Sequence, residues 1–200
     1  MKRKLSRRSF LKNAAGTGVA IAAARRDLWA ATAASYGSLT KSVDVFLGTG
    51  GHGHNYPGAT VPFGMVQLSP DTGTSGWDHC SGYHRDDTSI LGFSHTHLSG
   101  TGVGDMLDFL LMPARGPIKI NPGESDKPGS GYRSRFSHDD EHGEPGYYSV
   151  LLKDSNIRAE LTATSRAGLH RYHFPADARS HFVLDLVHGY IDTPDDLPVK

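Results

Sequence analysis

From Tyr147 onward the chain alternates apolar and polar positions with a period of two. In Ile157–Thr164, the apolar Ile157, Ala159, Leu161 and Ala163 alternate with Arg158, Glu160, Thr162 and Thr164. Successive side chains on a strand point to opposite faces, so this pattern predicts a strand with one buried face and one wet face. Tyr147–Lys153 precedes it across Asp154-Ser155-Asn156, and together the two segments predict a hairpin. Leu169–Phe174 follows after Arg166-Ala167-Gly168, and Phe182–Val187 follows a turn at Pro175–Arg179. Upstream the apolar runs are shorter and lie between glycine-rich loops. Val43–Leu47, Phe63–Leu68 and Ile90–Ser94 read as strands, and Leu107–Met112 as a buried strand stopped by Pro113. Ile118–Ile120 reads as a brief strand before Asn121-Pro122-Gly123. Asn121–Gly146 is polar and rich in Gly, Pro and charge, the composition of a surface loop or of a hairpin with a long connection. After the first 33 residues no segment carries the 3.6-residue period of an amphipathic helix, and no internal repeat recurs at a fixed spacing. Strands about 10–12 residues apart with turn signals between them predict an all-β fold, an antiparallel β-sandwich.

The N-terminal segment changes the domain picture. Ser6-Arg7-Arg8-Ser9-Phe10-Leu11-Lys12 matches the twin-arginine export pattern at each defined position, with Arg7 and Arg8 as the paired arginines. Ala14–Ala24 is mildly apolar and far shorter than the roughly 20 residues of a membrane-spanning helix. Ala31-Thr32-Ala33 supplies small residues for signal cleavage. The expected organisation is a twin-arginine (Tat) signal peptide over residues 1–33, a linker over 34–42 and one domain over 43–200. The partner implied is the Tat export machinery, and the mature chain is expected in the periplasm or outside the cell. Cys80 is the single cysteine, so no intrachain disulfide can form and the fold must rest on its core. The 21 basic and 21 acidic residues balance, and removing the signal leaves a mildly acidic remainder. That argues against a nucleic-acid partner, which needs a basic patch against phosphate. No later segment is apolar enough for stable membrane insertion.

The chemistry-bearing residues concentrate in three loops. Gly48–Gly64 carries Gly48, Gly50, Gly51, Gly53, Gly58 and Gly64, Pro57 and Pro62, and an alternating pair, His52 and His54. Such a run cannot be helical, and its backbone can come very close to a ligand. Gly76–His84 and Gly92–Asp105 repeat the theme, so the three loops predict one wall of a site for a polar ligand. Trp77 and Asp78 fit a sugar: an indole stacks on the C–H face of a ring while a carboxylate accepts from hydroxyls. Trp77 could equally fill a core. His52/His54 and His95/His97 could each grip a metal ion if they lay on strands, with Asp78 or Asp105 as a carboxylate ligand. Hydrogen bonds to loop backbones or sugar hydroxyls are the plainer use of these imidazoles. Cys80 beside His79 has the composition of a nucleophile pair. On a strand the two side chains would diverge, which favours an inert buried thiol. The phosphate-loop pattern is missing from the glycine-rich segments. Asp71, Asp78, Asp86, Asp87 and Asp105 are candidates for the two carboxylates of glycoside hydrolysis, but no spacing pairs them.

Val43–His54, Tyr56–Thr72, Gly76-Trp77-Asp78, Cys80–His84 and Gly92–Gly102, in that order, resemble the N-terminal domain of glycoside hydrolase family 92. The resemblance runs from about Val43 to the end of the chain and is strongest before Pro113. Members of that family are exo-acting α-mannosidases, mostly bacterial and exported. The resemblance implies an N-terminal β-sandwich of the galactose-mutarotase, or supersandwich, kind packed on a C-terminal (α/α)6 barrel. It implies a calcium-dependent inverting mechanism with a Glu as general acid and an Asp as general base. Those residues and the calcium ligands belong to the barrel, which is absent from this sequence, so no catalytic residue and no metal ligand is assigned here. What carries over is the sugar-contacting wall: Gly50, Gly51, His52 and Gly53 in the first loop, with Trp77 and Asp78. The expected function is the N-terminal fragment of a mannosidase acting on mannose-containing glycans, truncated and inactive alone. The alternative is a free-standing carbohydrate-binding module without catalysis. A third reading is a small metal-dependent hydrolase built on the His pairs.

Overall fold

The structure, a computed structural model, describes residues 39–176 and 179–191. The twin-arginine segment and most of the linker lie outside the described residues, as does the segment after Ile191. The chain divides into a first unit ending at Val43 and a second beginning at Asp44. Within the first, Thr40–Ser42 forms a single 3-10 turn. The second unit carries all ten strands described.

In chain order these are β1 (Ser69–Asp71), β2 (Ser89–Ile90), β3 (Gly92–Ser94), β4 (Leu110–Arg115), β5 (Ser134–Arg135), β6 (Glu141–Glu144), β7 (Tyr147–Leu152), β8 (Ile157–Ala163), β9 (Gly168–His173) and β10 (Ser180–Asp185). They form a four-stranded sheet β1-β3-β4-β10, a second four-stranded sheet β6-β7-β8-β9 and a two-stranded ladder β2-β5. All strand pairs are antiparallel. The named helical elements among the described residues are short 3-10 turns, and loops make up the rest of the connections.

The β7–β8 hairpin follows its sequence pattern. Ile157, Ala159 and Leu161 of β8 are buried beside Tyr148, Val150 and Leu152 of β7. Asn156 closes the turn with φ 52°, a left-handed conformation that Asn tolerates better than most residues. On the wet face, Glu160 accepts from Arg171 Nε at 2.6 Å, His173 Nε2 at 2.7 Å and Tyr147 Oη at 2.7 Å. The Arg171 hydrogen bond, with Tyr147 and His173 adding to it, holds the Glu160 carboxyl well below its usual range.

One core unites the sheets. Leu68, Phe93, Leu110 and Met112 from the region of the first sheet pack with Ile90 and with Tyr148, Val150, Leu152, Ile157 and Leu161. Full burial of each such side chain contributes about 1.5–3 kcal/mol.

Several strands depart from their expected places. Val43–Leu47 forms no strand. Asp44 Oδ1 accepts from the Phe46 amide at 2.9 Å, and Thr49 and Leu47 amides bond back three residues, winding the segment into consecutive turns. The strand expected at Phe63–Leu68 is displaced to Ser69–Asp71, because Phe63 takes φ 58° and its ring lies in solvent. Leu107–Met112 shifts to Leu110–Arg115. Leu107 and Phe109 adopt φ 65° and 59°, and Thr96 Oγ1 with Asp108 holds this turn. Pro113 does not end β4. It sits opposite Phe182, beyond the single Phe93–Leu111 pairing of β3, where the ladder continues on one side and a missing N–H is tolerated. Ile118–Ile120 is exposed and not a strand. The polar stretch Asn121–Gly146 holds β5 and β6, which its composition hid. Glu141 is the reason: its side chain is buried against Tyr83 Oη at 3.0 Å, Tyr148 Oη at 2.6 Å and His138 Nδ1 at 2.7 Å.

Candidate functional site

The three glycine-rich loops meet. Gly100 N donates to His54 O at 2.6 Å, Ser99 Oγ to Asn55 Oδ1 at 2.8 Å, and Ser81 Oγ to Asn55 O at 3.1 Å. Close approach is built in. A Cβ on Gly53 would stand 2.1 Å from Gly48 O, so only glycine closes that turn. A Cβ on Gly102 would stand 2.3 Å from Trp77 Cη2, so the indole lies directly on bare backbone of the third loop.

Trp77 opens a short 3-10 turn, Trp77–His79, and its side chain is 60% exposed. It is not a core tryptophan. His54 fixes it from the neighbouring loop: its Nε2 donates to Trp77 O at 2.8 Å, and the two rings meet edge to face at 4.8 Å. His52 Nδ1 lies 2.8 Å from Asp78 Oδ1, and this hydrogen bond is the main reason that the Asp78 carboxyl is held below its usual range. His84 Nε2 donates to Gly51 O at 2.9 Å, while its Nδ1 accepts from the Asp86 amide at 3.3 Å. Gly50 O accepts from Gly53 N at 3.1 Å. The expected residues Gly50, Gly51, His52, Gly53, Trp77 and Asp78 therefore form one surface: an open indole beside an imidazole–carboxylate pair on a loop of exposed backbone.

Behind this surface, residues 188–191 return to brace the Trp77 loop. Tyr190 Oη donates to Gly76 O at 3.1 Å, and Ile191 N to Thr74 O at 2.6 Å. His188 Nε2 lies 2.7 Å from Asp71 Oδ2, and His97 Nε2 lies 2.7 Å from Asp71 Oδ1. The Asp71 and His97 side chains are fully buried, and His188 is nearly so. Burial alone would raise the Asp71 carboxyl, but the two imidazoles outweigh it and hold the group below its usual range.

The His pairs do not act as pairs. His52 and His54 take different partners. His95 turns to Phe109 O and His170, while His97 turns to Asp71 and Gln67 O. Neither pair lies on a strand, so the same-side argument fails. No group of three or more His, Cys, Asp or Glu suited to a metal occurs among the described residues. Cys80 is buried, its Sγ 3.9 Å from Tyr190 Oη, whereas His79 Nε2 is 2.8 Å from Asp87 Oδ2. The two diverge from a 3-10 turn rather than from a strand. The Asp87 hydrogen bond raises the His79 imidazole above its usual value, against the effect of burial. Ser94 Oγ and Asp71 both face Nε2 of His97, so they do not form the relay through opposite ring nitrogens that a serine nucleophile needs.

A family model for the glycosyl hydrolase family 92 N-terminal domain matches residues 42–197. The chain belongs to glycosyl hydrolase family 92. A family 92 α-mannosidase of Bacteroides thetaiotaomicron, solved in complex with mannoimidazole, shares 45% identity and superimposes with a TM-score of 0.73 over 75% of this chain and 20% of that one. A family 92 inverting mannosidase of the same bacterium shares 31% identity, with a TM-score of 0.58 over 72% of this chain and 19% of that one. An uncharacterized secreted glycosidase of Arthroderma benhamiae is 33% identical over 148 residues, 72% of this chain and 18% of its own length. The chain thus spans about a fifth of the length of these family 92 relatives.

His84 and Gly102 were not singled out as site residues by sequence. The alternation Gly100-Thr101-Gly102-Val103-Gly104 is the signal for close approach that points to Gly102. His84 acts through a backbone carbonyl and leaves no such signal.

Proposed function

We propose that this chain is the N-terminal part of an exported exo-α-mannosidase, and that the loop Gly50–His54 with Trp77 and Asp78 forms one wall of its pocket for a terminal mannose. The observation carrying this reading is the exposed indole of Trp77, held by His54 and Gly102 beside the His52–Asp78 pair. A sugar ring stacks on the indole while the carboxylate accepts from its hydroxyls. The family relationship supports mannosides of glycans as the substrate class. It also supports inverting, calcium-dependent hydrolysis, with the acid, base and calcium ligands in a C-terminal (α/α)6 barrel of the complete enzyme. Among the described residues no group of three or more His, Cys, Asp or Glu is placed to hold a metal ion, and the buried or paired Asp71, Glu141 and Glu160 are each engaged by two or three protein donors. No step of the reaction is therefore assigned to them. The two four-stranded sheets sharing one core are proposed to pack as a β-sandwich over residues 43–200. Residues 1–33, with Arg7 and Arg8, are proposed as a Tat signal that delivers the folded protein to the periplasm or beyond. No helix among the described residues is long and apolar enough to cross a membrane.

Trp77→Ala in the complete enzyme is expected to lower kcat/KM on α-mannosides at least tenfold, about 1.4 kcal/mol. Steady-state kinetics with an aryl α-mannoside measures this, and unchanged kinetics would remove Trp77 from the pocket. Saturable mannose binding without any mannosidase activity in the complete gene product would favour a binding module instead.

A further inference from the structure

His84 stands where the first two glycine-rich loops touch, and its hydrogen bonds fix which ring nitrogen carries the proton. Gly51 O, 2.9 Å from Nε2, can only accept, and the Asp86 amide, 3.3 Å from Nδ1, can only donate. The proton therefore sits on Nε2 and points at the Gly51 peptide. Packing does not hold that peptide. Gly51 is exposed, takes φ 60°, and a Cβ on it would meet nothing within 4 Å. The turn from Gly53 N to Gly50 O encloses Gly51 but leaves its carbonyl to His84.

His84 is itself anchored. It is buried, and its amide donates to Oγ1 of Thr72, the residue after β1, at 2.9 Å. Arg85 ties the same segment to the first loop and to the second sheet. Its amide donates to Thr49 O at 2.8 Å, and its carbonyl accepts from His138 Nε2 at 2.6 Å. The other ring nitrogen of His138 lies 2.7 Å from the buried Glu141 of β6. The Arg85 guanidinium covers the Phe46 ring at 4.9 Å. Through His84 and Arg85 the Gly51 carbonyl is thus referred to both sheets, although the loop that carries it is open to solvent.

We propose that His84 is a positioning residue for the mannose pocket: by holding Gly51 O it sets the direction in which the chain leaves Gly51, and so aims His52 at Asp78. This role rests on the pocket proposed above. The His52 side chain is 84% exposed and is held by Asp78, Nδ1 to Oδ1 at 2.8 Å. Asp78 is itself 41% exposed, so burial fixes neither partner and the backbone at Gly51 decides whether they meet. Their hydrogen bond is the main reason that the Asp78 carboxyl stays below its usual range, ionised and ready to accept from sugar hydroxyls. A site on an open loop needs support of this kind, because a misplacement of about 1 Å can cost on the order of a hundredfold in rate.

Steady-state kinetics of the complete enzyme on an aryl α-mannoside tests this with substitutions at His84. His84→Gln carries an amide N–H to about the place of Nε2 and can keep the Gly51 bond. His84→Asn ends near the place of Nδ1 and cannot reach Gly51. His84→Phe keeps the ring volume without either nitrogen, and carries the test if His84→Asn does not fold. His84→Asn and His84→Phe are each expected to lower kcat/KM about tenfold, chiefly through KM, while His84→Gln stays within about threefold of wild type. A merely structural role would not sort the substitutions by their reach to Gly51. His84→Asn added to His52→Ala should lose no more than about twofold beyond His52→Ala alone, since both act through His52. Unchanged kcat/KM in His84→Asn and His84→Phe overturns the proposal. So does a loss in His84→Gln equal to theirs, or additive losses in the double variant. If Trp77→Ala is impaired while the His84 variants are not, the positioning role alone is refuted; if all are unchanged, the pocket reading falls with it.

Discussion

Asp71→Asn is expected to lower the stability of this domain by about 3–5 kcal/mol. The substitution keeps shape and removes charge. Asp71 is fully buried, and each of its carboxylate oxygens holds one imidazole at 2.7 Å. An amide offers one acceptor where two were used, and its NH2 group faces a ring that was donating. The imidazole nitrogen left over is buried without its charged acceptor, and the cost of that loss exceeds what the pair contributed when made. A typical domain has about 5–15 kcal/mol in total, so the variant should sit near the edge of folding. The same carboxylate gives the domain an acid dependence of known sign. Its folded value lies below the unfolded one, so its contribution is present above about pH 3.9 and is lost as pH falls through the folded value. Equilibrium urea unfolding of wild type and variant measures the effect, and a loss under 1 kcal/mol would show that the clasp is dispensable.

The second large effect is a loss of stability in mild acid caused by His170. Burial, with His95 adding to it, pushes the His170 imidazole down to about 4. The ring lies between Tyr172 Oη at 2.8 Å and His95 Nε2 at 3.1 Å, so the fold favours its neutral form. In the unfolded chain it takes up a proton near pH 6.5. The unfolded state thus binds more protons between 6.5 and 4, and stability falls as pH falls through that window. The full drop is about 3 kcal/mol for the shift from 6.5 to about 4. His170→Gln should flatten this part of the pH profile while leaving the lower, carboxylate-driven limb in place. Urea midpoints at intervals from pH 7 to about 4 separate the two, and an unaltered slope in the variant would acquit His170.

The hairpin was legible in the sequence because Ile157, Ala159 and Leu161 obey a strict period of two and nothing local competes with it. The site loops were legible because glycine at Gly53 answers a backbone requirement that no other residue meets. Where reading failed, a side-chain hydrogen bond or a left-handed residue had overruled the apolar pattern. Asp44 turned an apolar run into consecutive turns, and Phe63, Leu107 and Phe109 delayed two strands by several residues. β6 stayed hidden because its anchor is a buried glutamate rather than an apolar side chain, and solvated charge was the natural reading of Asp139-Asp140-Glu141. The Asp71 clasp is assembled from segments far apart in the chain, which no local pattern announces.

The clasp also orders events in time. Asp71 and His188 are 117 positions apart, whereas β6 to β9 are joined by short connections between neighbours. Closing a long loop is slow relative to local pairing. The β6–β9 meander can therefore assemble on the emerging chain while β1, β3 and β4 wait for β10 and for His188 to leave the ribosome. Pulse-labelled hydrogen exchange during refolding should protect the amides of β7 and β8 before those of β4. Simultaneous protection would mean that both sheets condense in a single step. On this order, the surface that carries Trp77 is the last part of the domain to become rigid.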